Sequence, residues 1–275
     1  FSYSGFIFLS KLIIISIKAD EITAVRGTQE GMAHLGMAIL NPGDVVLLPD
    51  PGYPVFEAGS YLGGAEVYYY PLLRENNFLP VIEDIPEDVL NKTKYIVLSY
   101  PSNPVGASAP KEMYVRMIEY AKKYNFAIIN DNAYSDIIFD GREGFSFLSL
   151  PGAKDVGVEF FSLSKSYNVT GLRISFCIGN KSIIDAFKLL RSQYDFGMSY
   201  PAQKAAIAAL RGPRDSVKAQ CAEYQRRRDA LLNGLRKYGW NVPDSHGTMF
   251  VWLPVPEGYT SASFTEALMD KAGVW

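Results

Sequence analysis

Phe161-Ser-Leu-Ser-Lys-Ser-Tyr-Asn-Val-Thr-Gly-Leu-Arg173 sits between two apolar, β-rich runs, Val158 to Phe161 before it and Ile174 to Ile178 after it. This places Lys165 at the mouth of a buried strand, behind the hydroxyls of Ser162 and Ser164 and eight residues ahead of Arg173. Partial desolvation at a sheet rim favours the neutral amine, the form that condenses with an aldehyde to a Schiff base. Two hydroxyls and a guanidinium are the partners a phosphate dianion requires. An imine-forming lysine beside a phosphate anchor is the minimum equipment for pyridoxal 5'-phosphate (PLP). A solvated surface loop could carry the same residues, so the rest of the chain must discriminate.

Outward from this stretch, short apolar runs alternate with helical patterns, as in a parallel sheet with crossover helices. The spacing predicts strands at Val45 to Leu48, Glu66 to Tyr70, Tyr95 to Ser99, Phe126 to Asn130, Val158 to Ser162 and Leu172 to Ile178. Helical spacing occupies Glu30 to Leu40, Pro110 to Tyr124 and Lys181 to Tyr194. From Pro201 onward the pattern is mainly helical. A long charged amphipathic helix covers Ser216 to Tyr238 and stops at Gly239; a strand at Thr248 to Leu253 and a helix at Ser261 to Lys271 follow.

Ligands of open α/β sheets gather at the carboxyl ends of the strands, so the polar residues there are the candidates. Asp131 and Tyr134 follow Phe126-Ala-Ile-Ile-Asn130. A carboxylate at so apolar a strand end needs a cation, and a protonated pyridine nitrogen would serve; capping the next segment is the plainer alternative. Tyr134 could reach the ring's phenolic oxygen. In Tyr100-Pro-Ser-Asn-Pro-Val-Gly106 a proline-stiffened turn aims the Asn103 amide, although Asn-Pro turns are common. Thr28 and Gln29 open a helix whose free N–H groups could cradle phosphate, or Thr28 could be a simple cap. Tyr53, in Asp50-Pro-Gly-Tyr-Pro54, could stack on a flat ring or merely pack in the core.

Bulk properties narrow the class. In 275 residues, 48% hydrophobic and 13% aromatic content supply a core and exclude general disorder. The net charge of −2 and the lack of a basic block argue against nucleic acid as a partner; Arg226 to Arg228 reads as a solvated helix face beside Glu223 and Asp229. Two cysteines, Cys177 and Cys221, make neither a disulfide framework nor a zinc site, and a reducing cytoplasm is expected. His34 and His246 show no metal-ligand spacing and are expected to be satisfied structural or surface residues; no metal is assigned. Residues 1–17 are almost wholly apolar but are broken by Lys11 and fall short of the ~20 residues of a membrane span. Both ends read as incomplete, the chain beginning without Met and stopping just past a helical pattern.

Taken together, Ser162-Leu-Ser-Lys165 with Arg173, Asn103-Pro-Val-Gly106 and Asp131-Asn-Ala-Tyr134 resemble the class I/II (fold type I) PLP-dependent aminotransferases, over roughly residues 20–275. Gly171-Leu-Arg-Ile-Ser-Phe176, Asp195-Phe-Gly-Met198 and Gln203 with its alanine-rich helix are similar to the LL-diaminopimelate aminotransferase-like members. The resemblance implies an α/β fold, with a three-layer α/β/α large domain and mostly parallel sheet over 21–212. An incomplete α+β small domain over 213–275 and an atypical apolar remnant over 1–20 flank it. By the same resemblance Lys165 would hold PLP and shuttle the Cα proton, and Asp131 would pair with the pyridinium. Asn103 and Tyr134 would bind the ring oxygen, Tyr53 would stack on the ring, and Thr28, Gln29, Ser162, Ser164 and Arg173 would bind the phosphate. It also implies amino-acid and 2-oxo-acid substrates, a homodimer and no membrane partner. Val105 departs from the family's usual threonine, and the family's carboxylate-binding arginine has no position to fall on within this sequence. Alanine- or aspartate-type transamination, a β-lyase and a non-catalytic ligand-sensing module remain open alternatives.

Overall fold

The computed structural model describes residues 16–195 and 197–274. The strands are β1 (Ile22–Val25), β2 (Val45–Asp50), β3 (Glu66–Pro71), β4 (Thr93–Ser99), β5 (Ala127–Asp131), β6 (Gly157–Ser162) and β7 (Ser175–Gly179). The helices are α1 (Thr28–Ile39), α2 (Val55–Leu62), α3 (Glu87–Lys92), α4 (Lys111–Tyr124), α5 (Ala153–Val156), α6 (Leu163–Ser166), α7 (Lys181–Tyr194), α8 (Tyr200–Arg211), α9 (Asp215–Lys237) and α10 (Ser261–Ala272). One sheet runs in the order β1-β7-β6-β5-β4-β2-β3. The pairs from β6 through β3 are parallel, and β7 is antiparallel to both of its neighbours.

The continuous apolar runs become strands because both faces of the sheet are covered. Leu47, Ile96, Leu98 and Ile128 pack in one core with Met113, Met117 and Ile118 of α4 and Leu210 of α8. Val46, Leu48, Val97 and Ile129 point the other way, into a second core with Leu35 of α1, Phe56 of α2 and Phe187 of α7. The expected three layers, α/β/α, are therefore present.

The register collects one edge of the sheet. Ser99 pairs with Asp131, Asp131 with Phe160, Ser162 with Ser175, and Ser175 with Val25. The carboxyl ends of β1, β4, β5 and β6 and the start of β7 thus form one rim. The chain leaving each of those ends carries the candidate residues.

Several expectations need correction. The four-residue strand β1 was not anticipated; its sequence, Ile-Thr-Ala-Val, is too short to show a period. Its place beside β7 is secured from outside, by Arg191 of α7, which donates to Thr23 Oγ1 at 3.1 Å and to the Ala24 carbonyl. The strand β7 starts at Ser175 rather than Leu172, because Thr170–Leu172 forms a 3-10 turn that ends with Arg173 at φ +50°. No strand forms at Thr248 to Leu253: the described residues there make only an isolated antiparallel bridge, Gly247 with Ile138. Past residue 213 the described chain is therefore helical and irregular, and a β-branched, aromatic run without a paired neighbour does not become a strand. Arg228, expected to be solvated, is 8% exposed; it ion-pairs with Asp140 at 2.6 Å and donates to the Ser245 carbonyl, while Arg226 and Arg227 do face solvent and pair with Glu223. Of the apolar stretch at the N-terminus, residues 1–15 lie outside the described residues.

The helices α1 and α2 meet through backbone. A Cβ on Gly36 would lie 2.0 Å from the Gly59 carbonyl oxygen and 2.4 Å from its carbon. Gly36→Ala sets a helix-propensity gain of about 1 kcal/mol against forced separation of two packed helices, about 1–3 kcal/mol or more. The clash is with backbone, which cannot rotate away and puts the cost at the upper end, so the net is a loss of about 1–2 kcal/mol in urea unfolding. Gly234, with open space around its would-be Cβ, serves as the control: Gly234→Ala raises stability by about 0.5–1 kcal/mol.

Candidate functional site

Lys165 lies in the single turn α6, set directly on the end of β6 by Ser162, whose Oγ accepts from the Ser164 N–H at 3.2 Å. The Lys165 carbonyl accepts from Gln220 Nε2 of α9 at 2.7 Å, so a helix distant in sequence holds this turn in place. Lys165 is half-buried, and its Nζ stands 6.0 Å from the centre of the Tyr134 ring.

Asp131 is the last residue of β5, not a residue beyond it, and it is buried. Its only hydrogen bond among the described residues comes from the Ala133 N–H at 3.3 Å, so the capping role is present too, but it is one weak bond. Burial pushes its carboxyl up to about 7; the Ala133 N–H and the charge on Lys165 pull the other way and do not win. On the same sheet face one strand over, the buried Ser99 Oγ has no partner among the described residues. Among the described residues no cation touches the carboxyl.

Tyr134 is buried edge-on to Phe250, with ring centroids 5.4 Å apart. Burial, then the charge on Asp131, pushes its phenol up to about 12, so it stays protonated and able to donate. Asn103 sits in a turn closed by Ser102 N–H to Ala107 O at 2.8 Å and Gly106 N–H to Ser102 O at 2.7 Å. Gly106 there has φ +76°, which suits glycine. Tyr53 is half-buried, edge-on to Phe56 at 6.0 Å, with its hydroxyl 3.5 Å from Gln29 Oε1.

The opposite end of the rim carries donors. The N-cap of α1 is Gly27 at φ +99°, with no side-chain cap, so Thr28 is the first helical residue and does not cap. The first N–H groups of α1 thus stay open at the positive end of its dipole. The Arg173 guanidinium lies against Gly27: a Cβ there would be 2.2 Å from Nη2. Arg173 donates to the Thr170 carbonyl at 3.0 Å and has no carboxylate partner among the described residues. Ser162 and Ser175 share a hydroxyl contact at 3.2 Å beside it. Ser175 and Gln220 were missed on sequence. A serine inside an apolar strand was a usable signal for the first; nothing marks the second.

The arrangement therefore has a buried carboxyl wanting a cation at one end and an open, cationic donor cluster at the other. A lysine and a phenol stand between them. A flat heteroaromatic ring with a protonatable nitrogen and a phosphate arm fits that donor set.

One histidine expectation fails. Glu30 and His34, four apart on α1, bring ligand atoms within 4.8 Å of each other and of Asp195, and His34 Nδ1 is buried without a partner among the described residues. Two guanidiniums already neutralise these carboxylates: Arg26 lies 3.2 Å from Glu30, and Arg191 grips Asp195 at 3.0 and 3.1 Å. No metal is assigned there. His246 pairs with Asp140 at 3.0 Å.

The buried carboxyl makes stability depend on pH. Folding raises the Asp131 pKa from 3.8 to about 7, so between those values the folded chain holds a proton that the unfolded chain has lost, and stability falls as pH rises. Glu159, raised from 4.5 to about 7 by burial, acts in the same direction. Asp131→Asn cannot ionise. Without added ligand it should match the parent near pH 3–4 and exceed it increasingly towards pH 8, by on the order of 2–4 kcal/mol there in urea unfolding. Parallel curves for the two proteins would refute the assignment.

Residues 8–275 match the family model described as aminotransferase class I and II. An LL-diaminopimelate aminotransferase of Dehalococcoides mccartyi is 49% identical over 254 residues, 92% of this chain and 66% of that protein. A second, from Moorella thermoacetica, is 43% identical over 92% of this chain and 65% of its own length. The chain thus spans just under two thirds of these relatives. The apo form of BacF from Bacillus subtilis superposes with a TM-score of 0.95 at 34% identity, covering 99% of this chain and 71% of that one. By the family match over nearly its whole length and by these identities, the chain belongs to the class I and II aminotransferases, a PLP-dependent family.

Proposed function

We propose that this protein is a PLP-dependent transaminase that moves an amino group between an amino acid and a 2-oxo acid, with LL-diaminopimelate and 2-oxoglutarate as the pair. The observation that carries the reading is the buried Asp131 carboxyl, which has no cation in contact among the described residues and lies on the same rim as Lys165 and Arg173. The substrate pair rests on the relatives' names. A homodimer working in the cytoplasm is part of the same reading. It is supported by the family resemblance and by two unpaired cysteines, and no described helix is long and apolar enough to cross a membrane.

Bound PLP supplies an electron sink that stabilises negative charge at the substrate's Cα. Asp131 would pair with the protonated ring nitrogen, which would relieve its own burial. Tyr134 and Asn103 would donate to the ring's phenolic oxygen, and Tyr53 would stack on the ring. The N–H groups at Thr28 and Gln29, the Ser162 and Ser164 hydroxyls and Arg173 would hold the phosphate. Lys165 would hold the cofactor through Nζ, and its free amine would serve as the base for the substrate's Cα proton.

Borohydride reduction after incubation with PLP should fix the cofactor on Lys165, and Lys165→Ala should abolish the label and lower transamination by roughly 10²–10⁴-fold. Arg173→Ala should keep the label but weaken PLP affinity by roughly tenfold or more. Incubation with LL-diaminopimelate and 2-oxoglutarate should yield glutamate. Release of ammonia and pyruvate from a substituted amino acid would favour a β-lyase, and full turnover in Lys165→Ala would end the proposal.

A further inference from the structure

A second acidic residue on the rim is placed quite differently from Asp131. Glu159 of β6 is wholly buried, 0% exposed, in a strand read on sequence simply as an apolar run. It pairs in register with Asn130 and points to the face of the sheet away from Asp131. Its two oxygens take up four donors. Asn130 Nδ2 reaches Oε1 at 3.2 Å, and Asn132 Nδ2 reaches the same oxygen. Ser146 Oγ reaches Oε2 at 2.5 Å, and the Leu148 N–H reaches it at 3.4 Å. The ring of bonds continues outward: Tyr114 of α4 donates to Asn130 Oδ1 at 2.9 Å, Asn132 Nδ2 to the Phe145 carbonyl at 3.2 Å, and Asn132 N–H to the Phe160 carbonyl at 3.0 Å.

Asn130 and Asn132 are the two residues that flank Asp131. We propose that Glu159 is a positioning residue for the reaction: from the opposite face of the sheet it clamps both neighbours of Asp131 and so fixes where that carboxyl points. This rests on the reading of Asp131 as the partner of the cofactor's ring nitrogen.

The physical argument is that a buried carboxylate is costly unless its lone pairs are filled. No cation touches Glu159 among the described residues, so its burial is offset only by these four donors. All four must be in place together, which makes the cluster rigid. If Glu159 served packing alone, an apolar side chain would fill the same space without that cost. What the carboxylate adds is orientation: both side-chain amides on either side of Asp131 are locked, so its backbone cannot twist at the strand end. A loosened carboxyl would meet the ring nitrogen at a poor angle, and such misplacement is felt in binding before it is felt in folding.

Glu159→Gln keeps the shape but replaces one acceptor oxygen by an amide that faces donors. Amide hydrogen exchange on the protein without ligand should speed up roughly tenfold at Asn132 and Ala133, while Val97 and Leu98 of β4 stay unchanged. In the PLP-loaded protein, well below both melting temperatures, the visible absorption band should shift and PLP affinity should fall roughly tenfold. Ser146→Ala removes only one donor and should move each readout in the same direction by less; it decides the matter if Glu159→Gln does not fold. Unchanged exchange at Asn132 and Ala133 with an unchanged band and affinity, whatever the loss in melting temperature, overturns the proposal. Accelerated exchange in a protein that takes up no PLP would retain the clamp and discard the cofactor reading.

Discussion

A carboxyl group closes a buried strand end of this protein, and the sheet has nowhere to hide it. Asp131 follows Ile128, Ile129 and Asn130 into a rim bounded by Ser99 and Phe160, and it receives one weak hydrogen bond there. Its position is not negotiable, because side chains alternate along a strand. A one-residue slip of β5 would drive Asp131 into the core with α4 and turn Ile128 towards α1. The two-sided burial of the sheet therefore fixes the register, and the register fixes the unmet need for positive charge. The remaining rim residues take their meaning from that need.

Two buried carboxyls on neighbouring strands show two solutions to one problem. Burial raises both Asp131 and Glu159 to about 7. Glu159 is surrounded by neutral donors from within the chain and is structurally complete. Asp131, on the opposite face, is left nearly bare. Groups with similar costs but different remedies mark the difference between a structural device and a place held ready for a ligand.

At the other end of the rim the same economy appears in the backbone. Gly27 at φ +99° opens α1 without a side-chain cap and leaves room for Arg173. Arg173, itself at φ +50°, ends a turn that brings it back beneath α1. The long helix α9 ties the assembly together, through Gln220 to the Lys165 carbonyl and Arg228 to Asp140. Those contacts bridge segments more than fifty residues apart, and they hold both the lysine turn and the loop after Tyr134.

Local chemistry was enough to recognise much of this protein. The continuous apolar runs read as strands covered on both sides, and polar residues beside their ends stood out: Asp131 because a carboxylate is costly there, Asn103 on its stiff turn, and Lys165 with Arg173 as an amine beside a phosphate anchor. Features that depend on partners far along the chain were not legible. The four residues of β1 are a strand only because β7 lies beside them, whereas among the described residues Thr248 to Leu253 has no paired strand, only a bridge at the neighbouring Gly247. Arg228 looks solvated until Asp140 and Ser245 fold over it, and Gly36 looks replaceable until Gly59 is seen against it. Glu159 was a visible anomaly inside an apolar run, yet its meaning required the two asparagines and the serine that close around it. Propensity and burial pattern are written residue by residue; pairing, register and the filling of lone pairs arise only when distant segments are brought to within a hydrogen bond of one another.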